Sequence, residues 1–260
     1  MPELKAVPLA TVSASKLKLY RRCARRYYYA YGENLRDPDT PETTLGTYLH
    51  EVLDRYLRHL VVTRQERDLA RLYALARELR EHYALPADGS DESDLLLNRF
   101  AARAMDPKTI YALEIPFRLP LLPDNSLHLT GRIDRIDRVP APDGGFLLHI
   151  IDYKSGRNKL DERELAADLQ QQAYVTAVHH LFHQRYKFFR FSLFYLRDQS
   201  RVSCEAQYRP EVFDLLAQLA LTVRDDREFA RNPGPHCRHC AAFKVCRPPL
   251  DRVEASGTQP

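Results

Sequence analysis

No run of apolar residues in this 260-residue chain approaches the roughly 18 to 20 needed to cross a bilayer. Met1 to Lys16 lacks the apolar core of a secretory leader. Both absences argue against a membrane or secreted protein, so the expected compartment is the reducing cytoplasm. Gly-x-x-x-x-Gly-Lys-Ser/Thr occurs nowhere, which excludes a P-loop motor within these residues; any coupling to strand unwinding would need a partner. Internal repeats and low-complexity tracts are missing too. Lysine is scarce, 8 residues against 31 arginines, and the net charge is only +4. Any affinity for nucleic acid would therefore have to come from local patches rather than a global field.

Isoleucine is equally sparse, and its placement is informative. All six, Ile110, Ile115, Ile133, Ile136, Ile150 and Ile151, fall between positions 110 and 151, where β-branched residues suit a pleated, half-buried surface. Strands are predicted near 110–119, 127–139 and 146–153, the last two joined by a turn at Pro142-Asp143-Gly144-Gly145, with further strands at 187–196 and 202–208. Before residue 105 the pattern is helical. Ser13 or Ser15 caps a helix running to about Tyr31, and others cover roughly 44–62, 65–83 and 92–105, with a polar loop from Pro86 to Asp91. Further helices are predicted at 161–183 and 210–230, the last stopped before Pro233-Gly234-Pro235. The tail beyond Arg252 is expected to be mobile.

Within the predicted strands, Gly131-Arg132-Ile133-Asp134 and Ile151-Asp152-Tyr153-Lys154 present two carboxylates and an ammonium. Residues two apart share a strand face, so Asp152 and Lys154 project together while Ile151 and Tyr153 point into packing. Phosphodiester hydrolysis gathers negative charge on the phosphoryl oxygens, which a divalent cation held by carboxylates can neutralise. Oxygen ligands suit Mg²⁺ or Mn²⁺. Lys154, in a chain that elsewhere prefers arginine, supplies a compact ammonium to orient water and steady the scissile phosphate. The bland alternative is a row of solvated charges on the polar face of a sheet.

Four blocks in order, Gly46 to His50, Gly131 to Asp134, Asp152 to Lys154, and Gln170-x-x-x-Tyr174, resemble the RecB-like branch of the PD-(D/E)xK nucleases over roughly residues 13–246. The resemblance is to the iron-sulfur members, which include AddB-like nuclease modules and CRISPR-associated exonucleases. It implies that His50, Asp134 and Asp152 bind metal, that the Tyr153 carbonyl adds a ligand, and that Asp134, Asp152 and Lys154 carry the chemistry. It also implies that Gln170 and Tyr174, with Arg132, position substrate. Gln172 stands where related proteins carry a second glutamine, and Glu114 matches an acidic position on the preceding strand.

Cys237-Arg238-His239-Cys240 is followed by Cys246 after five intervening residues, while Cys23 lies 214 positions upstream of Cys237. Such a layout reads as a metal site. The spacing leaves two options open: a Cys₃His zinc site completed by His236 or His239, or a [4Fe-4S] cluster on Cys23, Cys237, Cys240 and Cys246. The resemblance implies the cluster. Joining Cys23 to the C-terminal cysteines would remove on the order of 5 kcal/mol of loop-closure cost, comparable to the net stability of a domain at about 5 to 15 kcal/mol. Cys204, in a predicted strand, reads as a small buried hydrophobe.

The first helix also carries Arg21, Arg22, Arg25 and Arg26 beside Tyr27, Tyr28, Tyr29 and Tyr31. Cations interleaved with rings can hold single strands, yet consecutive tyrosines on a helix diverge, so some must enter the core.

The expected architecture is α/β, a restriction-endonuclease-like core with a central mixed sheet flanked by helices, an N-terminal helical region and a C-terminal cysteine segment. It is expected as one domain over 1–250, with a helical region at about 44–105 and 251–260 as tail. The resemblance implies an Mg²⁺- or Mn²⁺-dependent single-stranded DNA exonuclease in DNA repair, recombination or CRISPR spacer processing, with a helicase or CRISPR adaptation complex as partner. The alternative is a non-catalytic DNA-end-binding or scaffold subunit.

Overall fold

The computed structural model describes residues 7–86, 92–103, 105–141, 144–183, 185–186 and 188–248. Most of the predicted loop at 86–91, Pro142 and Asp143 of the predicted turn, and the tail beyond Arg252 lie outside the described residues.

The chain begins with a short strand, β1 (Thr11–Val12), and helix α1 (Ala14–Arg22), whose first turn is capped by Ser13 accepting from the Lys16 amide at 3.3 Å. One helix was predicted as far as Tyr31, but it breaks at Cys23, which is extended at φ −163° and ψ 106°, and restarts as α2 (Ala24–Tyr31). The cause is tertiary. Arg25 donates from its amide to Ala230 O at 3.1 Å, from Nε to Phe229 O at 2.8 Å and from a terminal nitrogen to Glu228 O at 3.0 Å, pulling the backbone off the helical path.

Helix α3 (Pro41–Thr63) starts earlier than its apolar period suggests, because Thr40 and Thr43 form a reciprocal capping box with Pro41 at the first helical position. Next come α4 (Leu69–His82), capped by Asp68, and α5 (Ser93–Ala101). Strands β2 (Ile110–Pro120), β3 (His128–Pro140) and β4 (Phe146–Lys154) lie where the isoleucines place them. The helix predicted over 161–183 is two: α6 (Glu162–Ala166) and α7 (Leu169–Leu181). Asp168 interrupts them by accepting from the Gln170 amide at 2.8 Å, which makes it the cap of a new helix. Strands β5 (Phe188–Tyr195) and β6 (Ser200–Gln207) follow, then α8 (Pro210–Asp225), a 3₁₀ turn at Pro235–His239 and α9 (Phe243–Cys246). The chain leaves α8 before residue 230 because Asp226 Oδ1 accepts the Glu228 and Phe229 amides, each at 2.8 Å, and folds them into a turn.

The chain gathers into two compact units, with boundaries inside β2 and β3. The first holds the described residues of Met1–Pro38, Arg118–Gly131 and Pro210–Pro260. Here β1 runs parallel to the start of β3, and α1 packs on α8. Tyr27 and Tyr28 are buried against Phe229, and Tyr20 Oη donates to Asp226 Oδ2 at 2.7 Å. Of the arginine and tyrosine stripe, Arg25, Tyr27 and Tyr28 are therefore spent on packing and Arg26 pairs with Asp37, while Arg21 and Arg22 stay exposed.

The second unit is Asp39–Phe117 with Arg132–Arg209. Its sheet is mixed: β4 is antiparallel to β3 and parallel to β5, β6 is antiparallel to β5, and β2 pairs with β3. Ile151 and Tyr153 on β4, with Phe194 and Leu196, join Leu53, Leu57, Leu75, Leu96 and Phe100 of α3, α4 and α5 in one buried cluster. Asp152 and Lys154 alternate with those residues on the opposite face, as the strand period requires. Arg80 stitches α4 to α5, donating to Ser93 Oγ at 2.8 Å and to Asp94 Oδ1 at 2.7 Å. Among the described residues no helix is long and apolar enough to cross a membrane.

Farther along the packed face, towards the start of β4, the sheet turns polar. Asp137 pairs in register with His149, whose Nε2 shares a 2.7 Å hydrogen bond with Ser192 Oγ, itself 2.7 Å from Ser203 Oγ. Burial, together with the guanidiniums of Arg201, Arg190 and Arg135, pushes the His149 pKa down to about 3. A base whose folded pKa is depressed contributes stability above its unfolded value and loses it as pH falls. Acidification from pH 7 to pH 4 should therefore cost about 3 kcal/mol through this residue alone. His149→Asn is expected to be the less stable protein at pH 7, with the gap to the parent narrowing by about that amount at pH 4. Urea unfolding at both pH values measures it, and a gap independent of pH would contradict the assignment.

Candidate active site

The ladder between β3 and β4 last pairs Arg135 with Ile151. Beyond that pair, the Tyr153 amide donates to the Asp134 side chain, Oδ2 at 2.8 Å. That bond aims a buried carboxylate at α3, where His50 Nδ1 lies 3.3 Å from the same oxygen. Gly46, one turn before His50, permits the approach: a Cβ there would come 2.9 Å from Ser155 Oγ, just past the end of β4. Glu114 reaches the same point from β2. One ligand atom from each of His50, Glu114 and Asp134 lies within 4.8 Å of the others.

Glu114 adopts φ +48°, a left-handed conformation that a non-glycine residue in a strand holds at a cost of about 1–3 kcal/mol. Nothing in the sequence signals that turn of the backbone, which is why its role is the least defined of the acidic positions when the chain is read as a linear pattern.

Asp152 lies beside this group in a second arrangement. Its Oδ2 is 2.6 Å from Lys154 Nζ, and its Oδ1 accepts from Gln170 Nε2 at 2.6 Å. Gln170 Oε1 in turn accepts from Lys154 Nζ at 3.1 Å. Gln170 Nε2 also lies 3.2 Å from Tyr174 Oη, and Tyr174 donates to the Arg132 carbonyl at 2.6 Å. Among the three glutamines it is thus Gln170 that meets the carboxylate and the ammonium, while Gln172 Oε1 is buried with no hydrogen-bond partner among the described residues. The Arg132 side chain is two-thirds exposed, 3.5 Å from Glu114.

Crowded carboxylates with little water show up as pKa shifts. Burial, then the charges of Asp134 and Asp54, pushes Glu114 up to about 7. Burial and Asp134 also hold Asp152 above the ordinary carboxylate range, against the pull of Lys154. For His50 burial favours the neutral form, but the hydrogen bond and charge of Asp134, with Asp152 and Glu114, outweigh it and raise the pKa to about 9. Burial likewise opposes the charge on Lys154, yet the adjoining carboxylates prevail and its pKa lies above the ordinary value. Lys154 is therefore an ammonium at neutral pH, a donor and not a base.

Negative charge concentrated this way is costly unless a cation balances it. The donor set fits Mg²⁺ or Mn²⁺: two carboxylates and one imidazole nitrogen, all from hard or borderline ligands, beside the buried Asp152, whose Oδ2 has the Lys154 ammonium at 2.6 Å but no well-aligned hydrogen-bond donor among the described residues. Of Tyr153, it is the amide that the structure places at Asp134. An open cleft of about 490 Å³ leads to the group, lined by Thr47, Glu51, Asp54 and Arg55 of α3 together with Tyr83, Glu114 and Arg132. Thr47, Glu51 and Asp54 were missed in the sequence, although Thr47 and Asp54 stand three before and four after His50, and Glu51 stands four after Thr47 and three before Asp54, a spacing that lines them along one side of the helix.

Cys23, Cys237, Cys240 and Cys246 all belong to the first unit. Cys23 and Cys237 are buried, and Cys240 and Cys246 are half-buried. Burial pushes the thiols of Cys240 and Cys246 up, and Cys23 adds to both shifts. Cys204 is half-buried on β6, its thiol pushed up to about 11 by burial.

The family model described as the PD-(D/E)XK nuclease superfamily matches residues 11–247. Curated relatives, each named as a subunit of an ATP-dependent helicase/deoxyribonuclease, include the Clostridium perfringens (strain SM101 / Type A) protein, 28% identical in an alignment 203 positions long that covers 64% of this chain and 17% of the relative. The Enterococcus faecalis protein is 28% identical over 62% of this chain and 16% of its own, and the Acetivibrio thermocellus protein 29% identical over 65% and 18%. This chain thus aligns with less than a fifth of each of those relatives.

The geometry makes a binding prediction that is independent of catalysis. Mn²⁺ titrated calorimetrically should bind the protein, binding should be lost in Asp134→Ala, and Glu114→Gln should weaken it by roughly tenfold. Equal affinity in all three proteins would show that the cation lies elsewhere.

Proposed function

The chain belongs to the PD-(D/E)XK nuclease superfamily, and from that premise we propose that it is a divalent-metal-dependent deoxyribonuclease acting as an exonuclease on single-stranded DNA ends. The observation that carries this reading is the convergence of His50, Glu114 and Asp134 on one point beside the Asp152, Lys154 and Gln170 triangle. The deoxyribonuclease named among the relatives supports DNA as the polymer.

A bound Mg²⁺ or Mn²⁺ supplies neutralisation of the phosphoryl oxygens and a water of lowered pKa. The protein's own residues do the rest. His50, Glu114 and Asp134 would hold the cation, with Asp152 beside them on β4. Lys154, kept charged by Asp152, donates to the scissile phosphate and to the attacking water, while Gln170 fixes the direction of its ammonium. Tyr174, anchored on the Arg132 carbonyl, props Gln170. Arg132, two-thirds exposed at the cleft mouth, offers its guanidinium to a flanking phosphate.

In the first unit, Cys23, Cys237, Cys240 and Cys246 would hold a [4Fe-4S] cluster, a covalent link between the start of α2 and the C-terminal cysteines. Strand supply comes from a helicase partner, in keeping with the name of the relatives, or from a CRISPR adaptation complex.

Two experiments test this reading. Anaerobically purified protein incubated with Mn²⁺ should degrade end-labelled linear single strands and spare circular ones. Lys154→Ala should cut turnover on the order of a thousandfold while fold and DNA binding persist; near-normal turnover would refute the assignment. For the cysteines, iron and sulfide analysis should return about four iron per chain, lost in Cys23→Ser. Stoichiometric zinc in a colourless protein would replace the cluster with a zinc site.

A further inference from the structure

On the face of β4 opposite Asp152 and Lys154 lies a second, smaller cavity. It is lined by Arg103, Arg135 and Arg201, by Phe100, Tyr153 and Phe194, and by Met105, Ile151 and Asp137. Its volume is about 170 Å³, below the roughly 300–1,000 Å³ of pockets that enclose drug-sized ligands and equal to roughly five or six waters at about 30 Å³ each.

The charges do not cancel. Arg135 is nearly buried and spends one edge on Asp137, Nε to Oδ1 at 2.6 Å and the terminal nitrogen to Oδ2 at 2.7 Å. Among the described residues, its other terminal nitrogen has only the Met105 thioether at 2.9 Å and the Tyr153 hydroxyl at 3.4 Å. A thioether is a weak acceptor, so a buried guanidinium edge has no anionic or carbonyl partner among the described residues. Arg103 stacks its guanidinium 5.4 Å from the centre of the Phe194 ring, and Arg201 stands across the ladder from the same residue. Arg103 and Arg201 have no ion-pair partner among the described residues. One carboxylate therefore faces three guanidiniums around a space a few waters wide. The depressed pKa of His149, to which Arg201 and Arg135 both contribute, reports the same positive field.

We propose that this cavity is an anion site for a phosphate group, taken as the free ion or as the terminal phosphate of a nucleotide whose remainder stays outside. The planar forks of Arg135, Arg103 and Arg201 suit tetrahedral oxyanions, and the volume admits a phosphate but not a whole nucleotide. The aromatic floor of Phe100, Phe194 and Tyr153 lowers the local dielectric and so strengthens each charge-assisted bond. Its other side is β4 itself, where the Tyr153 amide holds Asp134.

The site is tested without reference to nuclease activity. In EDTA, so that no cation at the carboxylates can recruit phosphate, inorganic phosphate and deoxyadenosine 5′-monophosphate are titrated calorimetrically in separate arms. Saturable one-site binding is expected in both, within a few-fold of each other. Arg103→Ala and Arg201→Ala, both at exposed positions, should each weaken it by roughly tenfold, and Lys154→Ala should leave it unchanged. Absence of saturable binding, or the same affinity in an Arg103→Ala/Arg201→Ala double variant with a native circular dichroism spectrum, would overturn the proposal. A nucleotide bound more than about tenfold tighter than phosphate would overturn its restriction to the phosphate group.

Discussion

The hydrogen bond from the Tyr153 amide to Asp134 Oδ2 is the constraint on which the site depends. Beyond Arg135 and Ile151 the Asp134 carboxylate accepts a main-chain donor of β4, so the strand itself holds the side chain in place. Asp134 is held at the point where His50 and Glu114 arrive, and its charge adds to the shift of every neighbour: it reinforces the rise that burial already gives Glu114 and Asp152, raises His50 against burial, and joins Asp152 in raising Lys154. A carboxylate on a flexible side chain could not impose that order, because rotamer freedom would let it swing towards water.

The sheet serves the two faces of β4 differently. One face concentrates negative charge in a cleft, where a cation is the natural complement. The other is first apolar, where Ile151, Tyr153 and Phe194 meet α3, α4 and α5, and then polar along Asp137, His149, Ser192 and Ser203. Strict alternation along β4 makes the division possible, since each residue on one face is separated from the other by a single peptide. Opposite charge chemistry can thus sit on two sides of one strand: carboxylates before, guanidiniums behind.

Several departures from the sequence reading share one physical cause. Cys23 breaks a helix because Arg25 finds the carbonyls of residues 228–230, which lie more than two hundred positions away. Asp168 divides another because its side chain competes for the amides of the next turn. Glu114 turns left-handed inside a strand. In each case a polar partner or a backbone torsion overrides a periodicity that was read correctly as far as it went.

Strand positions, the pairing of Asp152 with Lys154 on one face, and the candidacy of His50, Asp134, Gln170 and Tyr174 were legible in the amino-acid sequence, because period-two alternation and short motifs are local properties. Which of three glutamines meets the carboxylate, that Glu114 completes a group with His50 and Asp134, and that Arg135 shares a cavity with Arg103 and Arg201 were decided only by tertiary structure. Those facts turn on ångström-scale distances between residues far apart in the chain, and a linear pattern carries residue types and spacings but no such distances.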